Sequence, residues 1–102
     1  MKILIADKLA PFVAGRLQDL GAQVTVDTAA KDAALTAKIA ALDPEVVLVR
    51  STKVGGADIA AGRALSLVIR AGAGVNTIDL GAASGKGVYV ANCPGKNAIA
   101  VD

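Results

Sequence analysis

Asp43–Pro44–Glu45–Val46–Val47–Leu48–Val49–Arg50–Ser51–Thr52–Lys53 is the stretch that decides the fold. Four aliphatic residues in a row follow a helix-ending Asp–Pro and run into a polar, cationic cluster. A strand with one wet face alternates apolar and polar residues. An uninterrupted run predicts a strand covered on both faces, as in a parallel sheet. Similar short runs recur at 3–6, 23–26, 67–69 and 88–91.

Helical patterns lie between these runs. Leu9, Val13, Leu17 and Leu20 fall at spacings of four, four and three; Pro11 suits a first turn, and Gly21 is a natural stop. Leu35, Ile39 and Leu42 form a second stripe that ends at Asp43–Pro44. A third helix is predicted over 57–64 and a fourth over 79–84, before a Gly85–Lys86–Gly87 turn. Strand–helix alternation throughout predicts an α/β fold, a doubly wound, flavodoxin-like parallel sheet of five strands in the order 2-1-3-4-5.

With 102 residues the chain is read as a single domain, 1–102. Hydrophobic residues make up 54% but aromatics only 2%, Phe12 and Tyr89, so the core must be Val, Ile, Leu and Ala. The absence of His closes imidazole chemistry to this chain alone. A net charge of +2 with so few aromatics argues against nucleic acid as the main partner. One cysteine, Cys93, permits neither an intrachain disulfide nor a cysteine-built zinc site; no metal site is expected, and a reducing, cytoplasmic setting is. No apolar run approaches the roughly 20 residues that span a bilayer, so no membrane partner is expected. Asp7 and Lys8 break the first apolar run too early for a signal peptide.

The end of the chain reads as a helix start. Asn97 is a candidate N-cap for Ala98–Ile99–Ala100–Val101, and the sequence stops about one turn later. The expectation is a fold truncated at the start of its last helix, with one sheet face under-covered. A mean hydropathy of +0.55 agrees. A homodimer that covers this face is therefore expected.

In open parallel sheets ligands bind beyond the carboxyl ends of the strands. Those positions hold Asp7, then Arg50–Ser51–Thr52–Lys53, then Arg70–Ala71–Gly72–Ala73–Gly74, then Asn92–Cys93–Pro94–Gly95–Lys96–Asn97. Arginine forks match carboxylate or phosphate, and glycines let backbone amides approach an anion. The pattern points to a small anionic metabolite; ordinary strand-end polarity is the plainer alternative. Gly72–Ala73–Gly74–Val75–Asn76–Thr77 approaches a dinucleotide fingerprint, but Thr77 stands at the third glycine and Asn92 where a ribose-binding acid is needed. A receiver domain would need an acid at Arg50, and a flavodoxin a hydroxyl-rich loop at Asp7–Pro11. Cys93 has no base to activate it and reads as a packing thiol. Asp7 and Asp79 read as a turn acid and a helix-start acid.

Three segments together, Val49–Arg50–Ser51–Thr52–Lys53–Val54, Arg70–Ala71–Gly72–Ala73–Gly74–Val75 with Ile78–Asp79, and Val90–Ala91–Asn92–Cys93–Pro94–Gly95–Lys96–Asn97–Ala98–Ile99–Ala100–Val101, resemble the N-terminal part of the D-2-hydroxyacid dehydrogenases. The likeness runs from Met1 to Asp102 and is nearest to members acting on a phosphoglycerate-like acid. It implies a substrate-binding domain whose NAD-binding partner domain, with the catalytic Arg and the Glu–His pair, lies outside this chain. It further implies that Arg50 and Ser51 contact the phosphorylated end of the substrate. The amides of Ala73, Gly74 and Val75 would hold its carboxylate, Ala73 would approach the nicotinamide of NAD, and Asn97 would lie beside the substrate. Many relatives carry Thr at Ala73 and Asp–Asn at Asn76–Thr77, so a hydroxyl contact is lost here. The expectation is a chain with no catalytic residue of its own and no NAD bound alone. A glyoxylate or hydroxypyruvate reductase parent, or an inert fold module, are the alternatives.

Overall fold

A computed structural model describes residues 1–7, 12–71 and 77–92. Five parallel strands, β1 (Lys2–Ile5), β2 (Gln23–Val26), β3 (Val46–Val49), β4 (Leu67–Arg70) and β5 (Tyr89–Asn92), form one sheet in the order β2-β1-β3-β4-β5. Helices α1 (Phe12–Asp19), α2 (Ala33–Leu42), α3 (Gly56–Ala61) and α4 (Leu80–Lys86) connect them. The winding direction reverses between β1 and the central β3, which places the carboxyl ends of both at the switch point.

The two faces are covered unequally. Leu4, Val47, Val49 and Val68 point to one side, where Leu35 and Ile39 of α2, Ile59 of α3 and Ala83 of α4 complete a continuous core. Ile3, Ile5, Val46 and Leu48 point to the other, where Val13 and Leu17 of α1 meet them. Only β3 is buried along its whole length, and β1 beyond its first residue. This corrects the reading of most strands as covered on both faces. Among the described residues α1 is the one helix on its side, and beyond β3 that side thins out. Leu67 and Ile69 are half-buried, and Tyr89, in register with Leu67, is 78% exposed.

Local chemistry sets the element ends. Gly21 (φ 94°) and Gly87 (φ 78°) adopt the left-handed conformation that stops α1 and α4, with Ala22 N–H reaching back to the Leu17 carbonyl (3.1 Å) and Val88 N–H to that of Ala83 (2.8 Å). Asp43 stops α2 in the same conformation (φ 52°), and its Oδ1 accepts from the amides of Arg63 (3.0 Å) and Ala64 (2.9 Å). Those contacts, led by the Ala64 amide, hold the Asp43 carboxyl below the usual carboxylate range. They also explain why the third helix ends at Ala61 rather than at 64: the amides that would continue it are taken by Asp43. The expected Gly85–Lys86–Gly87 turn contracts to Gly87 alone, because Lys86 belongs to α4 and lodges its ammonium on the carbonyls of Ile59 (2.7 Å), Ala60 (3.3 Å) and Gly62 at the end of α3. Leu20, expected on the buried stripe of α1, is 83% exposed; it lies past the end of the helix. β4 and β5 each run one residue further than their apolar runs, through Arg70 and Asn92, which pair with each other in register.

Candidate anion site at the carboxyl edge of the sheet

The floor of the site is Asp7, just beyond β1. Its Oδ2 accepts from the backbone amides of Arg50 (3.0 Å), Ser51 (2.7 Å) and Thr52 (2.9 Å) and from the Thr52 hydroxyl (3.0 Å). Thr52 is buried, and its hydroxyl lies 3.2 Å from the Ala6 carbonyl. Three successive amides converging on one oxygen form a nest for an anion, and here the protein's own carboxylate fills it. Burial works against the charged form. The amides of Ser51, Thr52 and Arg50 and the Thr52 hydroxyl outweigh it and pull the carboxyl down to about 2. Asp7 is thus a turn acid, as expected, but the turn it organises is the one after β3, more than 40 residues away.

Because Asp7 consumes the amides of 50–52, this loop can offer a ligand only its side chains. Arg50 is exposed and makes no ion pair among the described residues. Ser51 and Lys53 are exposed on the same loop. Arg70, half-buried, lies opposite Val49 in register, so the two arginines stand on adjacent strand ends. The loop is pinned from its other end: Val54 bridges to Ile78, its N–H donates to the Thr77 carbonyl (2.9 Å), and Asp79 N–H donates to the Val54 carbonyl (2.9 Å). Asp58 adds a further clamp, accepting from the Gly55 amide (2.9 Å) and the Thr36 hydroxyl. Ala73, Gly74, Val75, Asn97 and Cys93 lie outside the described residues.

Between this loop and the start of α2 lies a polar cavity of about 180 Å³, lined by Lys31, Asp32, Ser51, Thr52 and Lys53. Lys31 and Asp32 are not candidate site residues from the sequence alone. The segment before α2 carries no glycine-rich or arginine signal, and only the fold brings it beside the loop after β3.

The catalytic-domain model of the D-isomer specific 2-hydroxyacid dehydrogenases matches residues 3–101. The chain belongs to that family. It is 43% identical over 99 residues to D-3-phosphoglycerate dehydrogenase of Rattus norvegicus, covering 96% of this chain and 18% of that protein. It also superposes on the NAD+-bound 3-phosphoglycerate dehydrogenase of Entamoeba histolytica with a TM-score of 0.81 and 29% identity, over 95% of this chain and 34% of that one. A glyoxylate/hydroxypyruvate reductase from Sinorhizobium meliloti, solved with citrate, gives a TM-score of 0.74 at 29% identity, over 92% of this chain and 29% of that one. The chain therefore spans about a fifth to a third of the relatives it matches.

In this 2-hydroxyacid dehydrogenase segment, α4 is the first described helix after the glycine-bearing residues 72–74. A pyrophosphate needs a free helix N-terminus after the glycine loop. The start of α4 is closed by Asp79, whose carboxylate accepts from the Ala82 amide (3.0 Å) and puts negative charge where the phosphates would sit. No group of three or more His, Cys, Asp or Glu able to hold a metal occurs among the described residues. Nor is any of their helices long and apolar enough to cross a membrane.

Proposed function

We propose that this chain is the substrate-orienting part of an NAD-dependent D-3-phosphoglycerate dehydrogenase. The whole enzyme would transfer hydride between a 2-hydroxy acid and NAD in the cytoplasm, on the route to serine. Residues 1–102 form one domain in this reading, and the nucleotide-binding domain belongs to the rest of the enzyme. The observation that carries it is the cationic edge: Arg50, Ser51 and Lys53 displayed on a loop whose own amides are locked by Asp7. Family membership over residues 3–101 supports it. So do the 43% identity to one phosphoglycerate dehydrogenase and the TM-score of 0.81 to another, against 0.74 for the reductase that represents the alternative.

In this role the chain binds and aims the acid and contributes no proton carrier. Arg50 and Ser51 take the phosphorylated end; the amides of Ala73, Gly74 and Val75 take the carboxylate, with Asn97 beside it. Fixing both ends of the substrate presents its carbinol carbon to the nicotinamide, which is a contribution of orientation and electrostatics. NAD is assigned to the whole enzyme and not to this chain, because Asp79 closes α4, the first described helix after the glycine-bearing residues.

With the cleft open to water, 3-phosphoglycerate should bind at about millimolar affinity, roughly −4 kcal/mol. A thermal-shift titration should show stabilisation that Arg50→Ala removes, no response to NAD, and no turnover of 3-phosphoglycerate with NAD. An Arg50→Ala variant that responds as the parent does would refute Arg50 as the anchor. For the 102-residue chain by itself we also propose a homodimer through the thinly covered side of β4 and β5, where Leu67, Ile69 and Tyr89 meet solvent. A folded species that stays near 10 kDa across a sedimentation-equilibrium dilution series would exclude it.

A further inference from the structure

We infer that the cavity between the start of α2 and the loop after β3 is the subsite for the phosphoryl group, and that Lys31 and Lys53 select a phosphorylated acid over an unphosphorylated one. The inference rests on the substrate-orienting reading above and adds two specificity residues to it. The cavity, about 180 Å³, is lined by Lys31, Asp32, Ser51, Thr52 and Lys53. At about 30 Å³ per liquid water it has room for roughly six waters, or a phosphoryl group with its nearest waters.

Its walls are cationic and under-used. Lys31 and Lys53 are both exposed, and neither makes an ion pair or a side-chain hydrogen bond among the described residues. Thr52, by contrast, is spent: its hydroxyl serves Asp7 and Ala6. Ser51 gives its amide to Asp7, and its hydroxyl makes no hydrogen bond among the described residues. Asp32 is the opposing charge. Its side chain makes no capping hydrogen bond to α2, whose first amides turn instead to the backbone carbonyls of Lys31 and Asp32. Lys31, Lys53 and the neighbouring Arg50 set three positive charges against the carboxylates of Asp32 and Asp7, which leaves the site net positive. That favours a dianion over a monoanion, because the Coulomb gain scales with the ligand's charge. Lysine binds phosphate as a point charge and needs no fork geometry. Ser51, which lines the cavity, follows Arg50 directly, so a phosphate held here is beside the arginine already assigned to the phosphorylated end.

The test is a ¹⁵N NMR titration of the chain with 3-phosphoglycerate, inorganic phosphate and glycerate. The expected result is that the first two shift the amides of Lys31, Asp32, Ala33, Ser51 and Lys53, and glycerate does not. The double variant Lys31→Ala/Lys53→Ala, at two exposed positions, should keep the parent's spectrum elsewhere. It should bind 3-phosphoglycerate about tenfold more weakly, as expected for two partly screened charges, with glycerate unchanged. If 3-phosphoglycerate shifts Arg50 and the ends of β4 and β5 but spares the cavity, and the double variant binds as the parent does, the subsite is refuted while the substrate-orienting reading stands. If none of the three shifts any residue up to about 50 mM, that reading falls, and the subsite with it.

Discussion

Asp7→Asn isolates the charge at the floor of the site. The amide side chain has the same shape and keeps one oxygen for the amides of Arg50, Ser51 and Thr52, but it cannot ionise. In the folded chain the Asp7 carboxyl titrates at about 2, against 3.8 without the fold. At 1.36 kcal/mol per unit that separation converts to roughly 2–3 kcal/mol. Asp7 is only half-buried, so screening by water reduces this to about 1–2 kcal/mol. A depressed carboxyl stabilises the fold fully at pH values above its unfolded value. The contribution shrinks as pH falls below about 4 and is gone below about 2. Asn at this position has no such dependence. Urea unfolding at pH 7 should therefore show the variant about 1–2 kcal/mol less stable. With a slope of about 1.5 kcal/mol per molar, its midpoint should fall by roughly 1 M. Repeated at pH 5, 3 and 2, the gap between the two proteins should hold at 5, narrow at 3 and close at 2. Other acids, Asp43 among them, titrate in both proteins and cancel in the difference. A gap that stays constant down to pH 2 would refute the argument, since the amides would then be serving an acceptor whose charge does not matter.

Three further outcomes follow from the packing. Gly62→Ala would put a Cβ 2.8 Å from Leu65 Cβ and 3.0 Å from Ile39 Cγ2, both in the main core, and should cost about 1–3 kcal/mol in a denaturant melt. Gly15→Ala, inside α1 with no atom of the described residues within 4 Å of the added methyl, should stabilise by about 0.5–1 kcal/mol in the same assay. Lys86→Met keeps the aliphatic stem but strips the ammonium from the Ile59, Ala60 and Gly62 carbonyls; it should cost about 1 kcal/mol and speed amide exchange in α3 selectively. An unchanged α3 exchange rate would show that water replaces the ammonium without loss.

The strand runs and their order were legible because burial on a parallel sheet leaves a local mark: Val46–Val49 could hardly be anything but a covered strand, and β3 is buried throughout. Element ends were less legible, because distant groups decide them. Nothing between 57 and 64 announces that α3 stops at Ala61; Asp43, some 20 residues upstream, takes the amides of Arg63 and Ala64. Glycine at 85 suggested a turn, yet α4 runs through it, held by Lys86 on α3. The two arginines were visible as strand-end cations. Asp7 was visible only as a turn acid, since its partners on the β3 loop are remote in sequence. Lys31 was not visible at all as a site residue. A lone lysine ahead of a helix has no local signature, and its proximity to Ser51 and Lys53 is a product of the β2-β1-β3 crossover.

The edge also has a definite pH behaviour, because its own chemistry does not titrate where phosphate does. The chain contains no His. Asp7, ionised from about pH 2 upward, is a fixed negative charge beneath the loop at any ordinary pH. A phosphate ester has its second ionisation near 6 and goes from monoanion to dianion between about pH 5 and 7. A site with Arg50, Lys31 and Lys53 facing the ligand gains from the second charge. Affinity for 3-phosphoglycerate should accordingly rise severalfold from pH 5 to pH 7 and then level off. Affinity for glycerate, whose carboxylate is already ionised at pH 5, should stay flat. Isothermal titration of both ligands across that range separates the ligand's charge from the protein's. Parallel profiles for the two acids would mean that the protein, not the phosphate, carries the titrating group, and the cationic edge would then not be reading phosphate charge.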